Sequence, residues 1–203
     1  MVGGLVWFRI VSSWILASLQ TELISIIVLH ATYALSILYS LRLKNTGLLG
    51  NIIVTFCVST ALIYGSLTAT GGVDPLVLNI AGISFFINLG REVIQSVQDM
   101  KGDMMRGVKS VAITHGLRAA AVLGSLFMLL GVILGPLVLL NQLTGLQHHY
   151  ILILIPQFGL VYSIIMLLRQ PTQENASRFI RHANTWTGLI LFMLAALFAF
   201  SLL

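Results

Sequence analysis

Charge is scarce in this sequence. Its 203 residues include 6 acidic and 11 basic side chains, or 8% charged against 58% hydrophobic, and the mean hydropathy is +0.99. A soluble domain carries about 25% charged residues. So few charges cannot cover a water-facing surface, and the composition predicts an integral, multi-pass membrane protein. Cysteine is nearly absent too. Cys57 stands alone inside an apolar run, which excludes a disulfide framework and a cysteine-based metal site. No nucleic-acid motif accompanies the net charge of +5 and isoelectric point near 9.8; in a membrane chain an excess of Lys and Arg sets orientation. There is no low-complexity linker and no short-period repeat. No cleavable leader is expected either, because the first apolar stretch carries Arg9 and no small-residue cleavage site follows it.

What is present is hydrophobic length. A spanning helix needs about 20 mostly apolar residues, and seven stretches are candidates: 4–19, 22–41, 49–70, 76–98, 117–140, 149–168 and 183–203. The expected fold is all-α, a polytopic transmembrane helical bundle of about seven helices, with 1–203 a single domain. The first stretch is the shortest. Break signals fall between spans at Gly71-Gly72, Asp74-Pro75 and Pro171. Pro136 and Pro156 lie inside helical stretches, where neighbouring helices can satisfy the freed carbonyls.

The connections alternate in charge. Residues 42–48, 99–118 and 169–182 carry Lys and Arg, while those around 20–21, 71–75 and 141–148 carry none. Counting Arg91 at its helix end, every basic residue except Arg9 falls on one side. The positive-inside rule makes that side cytoplasmic. It puts the N-terminus and the central loop inside and the C-terminus outside, in the plasma membrane.

The little charge there is gathers in one place. Nine of the charged residues lie within residues 74–118, most of them in the stretch 88–109, NLGREVIQSVQDMKGDMMRGVK. Read as one helix over 88–103, the spacing sets Asn88, Glu92, Ser96, Asp99 and Asp103 on a single face. Asp99 and Asp103, four residues apart, fall within about 6 Å of each other, and two such carboxylates repel unless a cation lies between them. Carboxylate oxygens suit Mg²⁺, which is usually held by one or two of them together with substrate phosphates. Lys101, Arg106 and Lys109, with Arg42 and Lys44 from the preceding basic loop, supply positive charge for a diphosphate. Beside an apolar bundle, the natural diphosphate is one with a hydrocarbon tail.

At this point the sequence resembles a known family, the UbiA superfamily of intramembrane prenyltransferases. The stretch from Asn88 through Arg91, Glu92, Asp99, Gly102, Asp103 and Gly107 to Lys109 is similar to its second aspartate-rich motif, roughly NxGREIxKDxEDxxGDxxxGxKT. Residues 39–51, YSLRLKNTGLLGN, are similar to its YSxxLKxTxxxGN segment. The archaeal branch that makes geranylgeranylglycerol-phosphate ethers is the nearest in pattern. The resemblance implies a Mg²⁺-dependent transfer of a prenyl group from a prenyl diphosphate to a lipid or aromatic acceptor, inside the membrane and without nucleic acid. It implies catalytic and metal-binding roles for Asp99 and Asp103. It implies substrate-binding roles for Tyr39, Arg42, Lys44, Asn88, Arg91, Glu92 and Lys109. It also implies a nine-helix fold, of which this chain would hold the C-terminal seven helices without the first aspartate-rich motif.

Two positions depart from the motif: Ser96 stands at its first aspartate and Gln95 at a lysine. A non-catalytic paralogue, or one part of a split enzyme whose partner chain supplies the missing helices, is therefore the alternative expectation. Blander roles compete at single residues as well. Asp99 and Asp103 could line a solvated loop, Arg91 and Glu92 could pair at a helix end, and Arg42 and Lys44 could be topogenic charge. His30, inside an apolar helix, is expected to be packed and hydrogen-bonded. His115 and His182 have no partner at metal spacing, and His148 and His149 read as interfacial.

Overall fold

The computed structural model describes residues 23–142 and 150–201. Eight α-helices and no strand are found among them: α1 (Leu23–Leu41), α2 (Leu48–Thr70), α3 (Pro75–Gln98), α4 (Met100–Met105), α5 (Val111–His115), α6 (Leu117–Gln142), α7 (Tyr150–Arg169) and α8 (Gln173–Ser201). A 3₁₀ turn, Leu43–Asn45, joins α1 to α2. Four of these helices, α1, α2, α3 and α6, are long and apolar enough to cross a membrane. Many large apolar side chains on them, such as Phe56, Leu126 and Ile133, face outward. In water that arrangement would be costly, whereas in lipid it is neutral. The protein is an all-helical integral membrane protein. The expected span 4–19, with Arg9, lies outside the described residues, as do His148 and His149.

Local chemistry explains where the helices start and stop. The α2 helix ends at Gly71, whose φ of 74° closes it with a bond from its N–H to the Leu67 carbonyl. Three residues later, Asp74 caps α3 by accepting the Leu76 N–H at 2.7 Å, and Pro75 fills the first helical position. Pro136 and Pro156 sit inside α6 and α7. His30 donates to the Ile26 carbonyl at 2.6 Å, as its apolar setting requires.

The centre of the bundle is α3. It packs most extensively on α6 and also touches α2 and α8. The approach to α6 is close because both helices present glycine there. A Cβ added at Gly90 would meet the Gly124 carbonyl and lie 2.7 Å from the Met128 nitrogen; one at Gly124 would lie 2.6 Å from Ile94. Around this seam Val93, Ile94, Val97, Ala121, Met128 and Phe179 form the core.

Two sequence expectations need correction. The last helix begins at Gln173 and not near 183. Its first turns look polar in any hydropathy window, yet Ala176, Phe179, Ile180 and Ala183 recur at helical spacing and are all buried. The supposed single helix 88–103 is interrupted at Asp99, which closes α3 and opens α4 with φ −89° and ψ 2°. The disturbance is small. Asp99 N–H still bonds Gln95 and Asp103 N–H still bonds Asp99, both at 2.9 Å, so the face carrying Glu92, Ser96, Asp99 and Asp103 persists across the joint.

Candidate functional site

That face forms one wall of a cavity of about 220 Å³. Glu92, Gln95 and Ser96 come from the last turns of α3, and Asp99, Asp103 and Arg106 from the joint and α4. The opposite wall is made by Tyr39 at the end of α1, Lys44 in the 3₁₀ turn, and Gly47 and Asn51 at the start of α2. Val108 and Ser110 complete it. Two loops distant in sequence are thereby joined: the Lys109 N–H donates to the Asn45 carbonyl at 3.3 Å. Gly47, at φ 69°, lies so close to the Lys109 carbonyl that a Cβ would collide with it.

Three carboxyl groups, Glu92, Asp99 and Asp103, share the cavity with two cations, Lys44 and Arg106. Asp103 is nearly buried and accepts from Arg106 Nη2 at 2.7 Å. Asp99 receives only a long contact, 3.4 Å, from the Gln95 amide. Glu92 has a similarly loose contact with Arg91, at 3.5 Å. Ser96 turns its hydroxyl back to the Val93 carbonyl at 2.7 Å. Ser110 Oγ is buried without a hydrogen-bond partner, an oxygen left over at the cavity wall.

The donor set fits a hard divalent cation. It is all oxygen and incomplete: among the described residues no three His, Cys, Asp or Glu side chains are grouped so as to hold a metal ion. Two aspartates that leave positions for phosphate and water are the usual environment of Mg²⁺. The volume is below the roughly 300–1,000 Å³ of pockets that enclose a whole drug-sized ligand. It has room for a phosphorylated head group, with any tail running out along the apolar helices.

Of the residues singled out in the sequence, Tyr39, Lys44, Glu92, Asp99 and Asp103 converge here, and Arg42, Asn88, Arg91 and Lys109 do not line the cavity. Arg42 is exposed before the 3₁₀ turn. Asn88 donates its amide to the Ser84 carbonyl and hydroxyl at 2.9 and 3.2 Å. Arg91 is half-buried, with its Nε unpartnered. Lys109 contributes its backbone to the loop seam while its side chain is exposed. Asn51, Gln95 and Ser110 are lining residues that spacing alone did not select, although each falls inside or beside one of the two recognised segments.

The sequence pattern of the UbiA prenyltransferase family matches residues 2–188. The chain belongs to that family. Among curated relatives of this UbiA chain, digeranylgeranylglyceryl phosphate synthase from Thermococcus kodakarensis is 28% identical over 167 residues, 81% of this chain and 58% of its own length. The proteins of that name from Methanothermobacter thermautotrophicus and Korarchaeum cryptofilum are 29% and 32% identical, covering 84% and 68% of this chain and 59% and 49% of theirs. The chain thus spans about half to three fifths of these relatives. A solved chain, from work on digeranylgeranylglyceryl phosphate synthase in membranes, superposes with a TM-score of 0.77 at 24% identity, over 88% of this chain and 62% of that one. The UbiA-type helical bundle is therefore shared.

Proposed function

We propose that this UbiA chain is a membrane prenyltransferase. It would transfer a prenyl group from a prenyl diphosphate to a lipid alcohol, in the manner its archaeal relatives' name describes. The observation that carries this reading is the convergence of Asp99 and Asp103 with Lys44 and Arg106 in one head-group-sized cavity. Asp99 and Asp103 would hold Mg²⁺, which would supply positive charge to ease departure of the diphosphate. Lys44 and Arg106 offset the charge that builds on the diphosphate as the allylic C–O bond breaks and its electron pair leaves with oxygen. The prenyl carbon then forms a bond to the acceptor oxygen, whose proton passes to the released diphosphate. The Tyr39 hydroxyl and the Glu92 carboxylate lie on the same cavity, suited to orient that acceptor. The basic connections, from Arg42 and Lys44 through Arg169, Arg178 and Arg181, support a site on the cytoplasmic side with the C-terminus outside.

A second reading, a chain that binds the diphosphate without turning it over or that works beside a partner chain, is favoured by Ser96. Its hydroxyl is committed to the helix backbone and supplies no charge to the metal site. One assay separates the two. The protein in detergent is incubated with labelled geranylgeranyl diphosphate, Mg²⁺ and geranylgeranylglyceryl phosphate. Product formation that disappears in Asp99→Ala and Asp103→Ala establishes the enzyme. Magnesium-dependent binding without product supports the second reading, and neither binding nor product defeats both.

A further inference from the structure

The Arg106–Asp103 pair has an unusual division of exposure. The guanidinium side chain is 57% exposed and the carboxylate 13%. The cation sits outside the acid, between it and the surroundings. A second hydrogen bond, from Arg106 Nε to the Gly102 carbonyl at 3.2 Å, folds the side chain back over α4. Little else restrains it: Arg106 closes a six-residue helix, Met105 beside it is 85% exposed, and Gly107 follows at φ 68° with open space around its Cα. With its guanidinium half in solvent and its carboxylate nearly buried, the pair is held with a strength between that of an exposed and a buried one. Of the three acids in the cavity, only Asp103 has a short ion pair. A cation that approaches Asp103 through Oδ1 therefore meets an oxygen already taken.

We infer that Arg106 is a displaceable counter-ion. It stays on Asp103 while no divalent cation is bound, and it turns to the phosphate oxygens once a cation takes that carboxylate. The same guanidinium then supplies two planar donors to the ligand, a geometry suited to phosphate. One cation serves the site in two states, so the acid is neutralised before loading and the leaving group after it. The phosphate half of this inference rests on the prenyl diphosphate reading; the carboxylate half does not.

The test uses the full chain in detergent, with Arg106→Gln and Arg106→Lys as variants and Mn²⁺ as the metal probe, followed by the paramagnetic signal of the free ion. Without phosphate, Arg106→Gln should bind Mn²⁺ about two- to fivefold more tightly than the unsubstituted chain, because a competitor has gone. With saturating Mg²⁺, its affinity for geranylgeranyl diphosphate should fall about tenfold or more. Arg106→Lys should recover part of the second effect. Unchanged or weaker Mn²⁺ binding in Arg106→Gln, or no Mn²⁺ binding in either protein, overturns the inference. So does tighter Mn²⁺ binding with diphosphate affinity unchanged. If the unsubstituted chain binds Mn²⁺ but no diphosphate, the prenyltransferase reading and the phosphate half fail together, and the Mn²⁺ comparison still decides the carboxylate half.

Discussion

Gly47 and Lys109 touch backbone to backbone. The space where a Gly47 side chain would stand is filled by the Lys109 carbonyl, and the Gly47 φ of 69° is one that other residues adopt at a cost. This contact pins the turn carrying Lys44 to the segment carrying Val108 and Ser110. It closes the cavity around Asp99 and Asp103.

Gly47→Ala is expected to lose about 2–4 kcal/mol of stability, from the left-handed backbone and the collision together. Thermal unfolding in detergent measures it. Diphosphate affinity should fall as well, because both loops must shift. A Gly47→Ala variant with unchanged melting temperature and affinity would show that the seam is not needed.

The cavity separates two groups of motif residues. Asp99→Asn and Asp103→Asn should each weaken Mn²⁺ binding by about tenfold or more, since each removes a charge from an oxygen donor set. Lys109→Ala and Asn88→Ala should change it by less than about threefold, because Lys109 acts through its backbone and Asn88 is bonded to Ser84. Equal losses across all four would mean that the whole stretch acts as one diffuse charged surface.

Ser96 offers a gain in place of a loss. It lies on the cavity face, and its hydroxyl serves only the Val93 carbonyl. Ser96→Asp adds a carboxylate to the face that carries Glu92, Asp99 and Asp103 and should tighten Mn²⁺ binding by about tenfold. Titration of the two proteins side by side reads the effect directly. Weaker binding in the variant would put the residue 96 side chain away from the metal.

At Gly90 an added methyl meets the Gly124 carbonyl and the Met128 backbone, neither of which can yield cheaply. Gly90→Ala should cost about 1–3 kcal/mol by overpacking. Gly82, on the same helix with nothing within 4 Å of its would-be Cβ, is the control, and Gly82→Ala should be neutral or slightly stabilising. Paired melting curves decide the point.

A reporter fused after Leu203 tests the topology. Activity of a periplasmic-type or extracellular reporter is expected there, and cytoplasmic activity would overturn the orientation read from Arg42, Lys44, Arg169, Arg178 and Arg181.

Much of this architecture was legible in the order of residues. The run 49–70 became Leu48–Thr70 and 76–98 became Pro75–Gln98, because apolar length and the Gly71, Asp74 and Pro75 signals are local facts. The start of α8 was hidden, since Ala176, Phe179, Ile180 and Ala183 form a buried face beneath Glu174, Arg178 and Arg181, and average hydropathy erases a face. The break at Asp99 was hidden too, because one residue at ψ near 0° leaves the spacing intact. Within the site, spacing placed the acids on one wall. It gave no hint that Lys109 and Arg42 stand outside the cavity while Gly47, Asn51 and Ser110 line it. Those choices depend on where two distant loops meet. The pairing of Arg106 with Asp103 follows the three-residue spacing of one helical turn, which neither Lys101 nor Lys109 has.

The glycine seam between α3 and α6 has a consequence for how the site can tolerate change. Glu92, Asp99 and Asp103 belong to a helix and its short continuation, held on the far side by close glycine contacts among the Ile94 and Met128 side chains. Tyr39 and Lys44 belong to α1 and its turn, where almost every residue is accessible. The acids thus act as an anvil and the aromatic and lysine wall as the part that gives. Sequence drift in this protein should accumulate on the yielding side, while even a single methyl group behind the anvil would move all three carboxylates together.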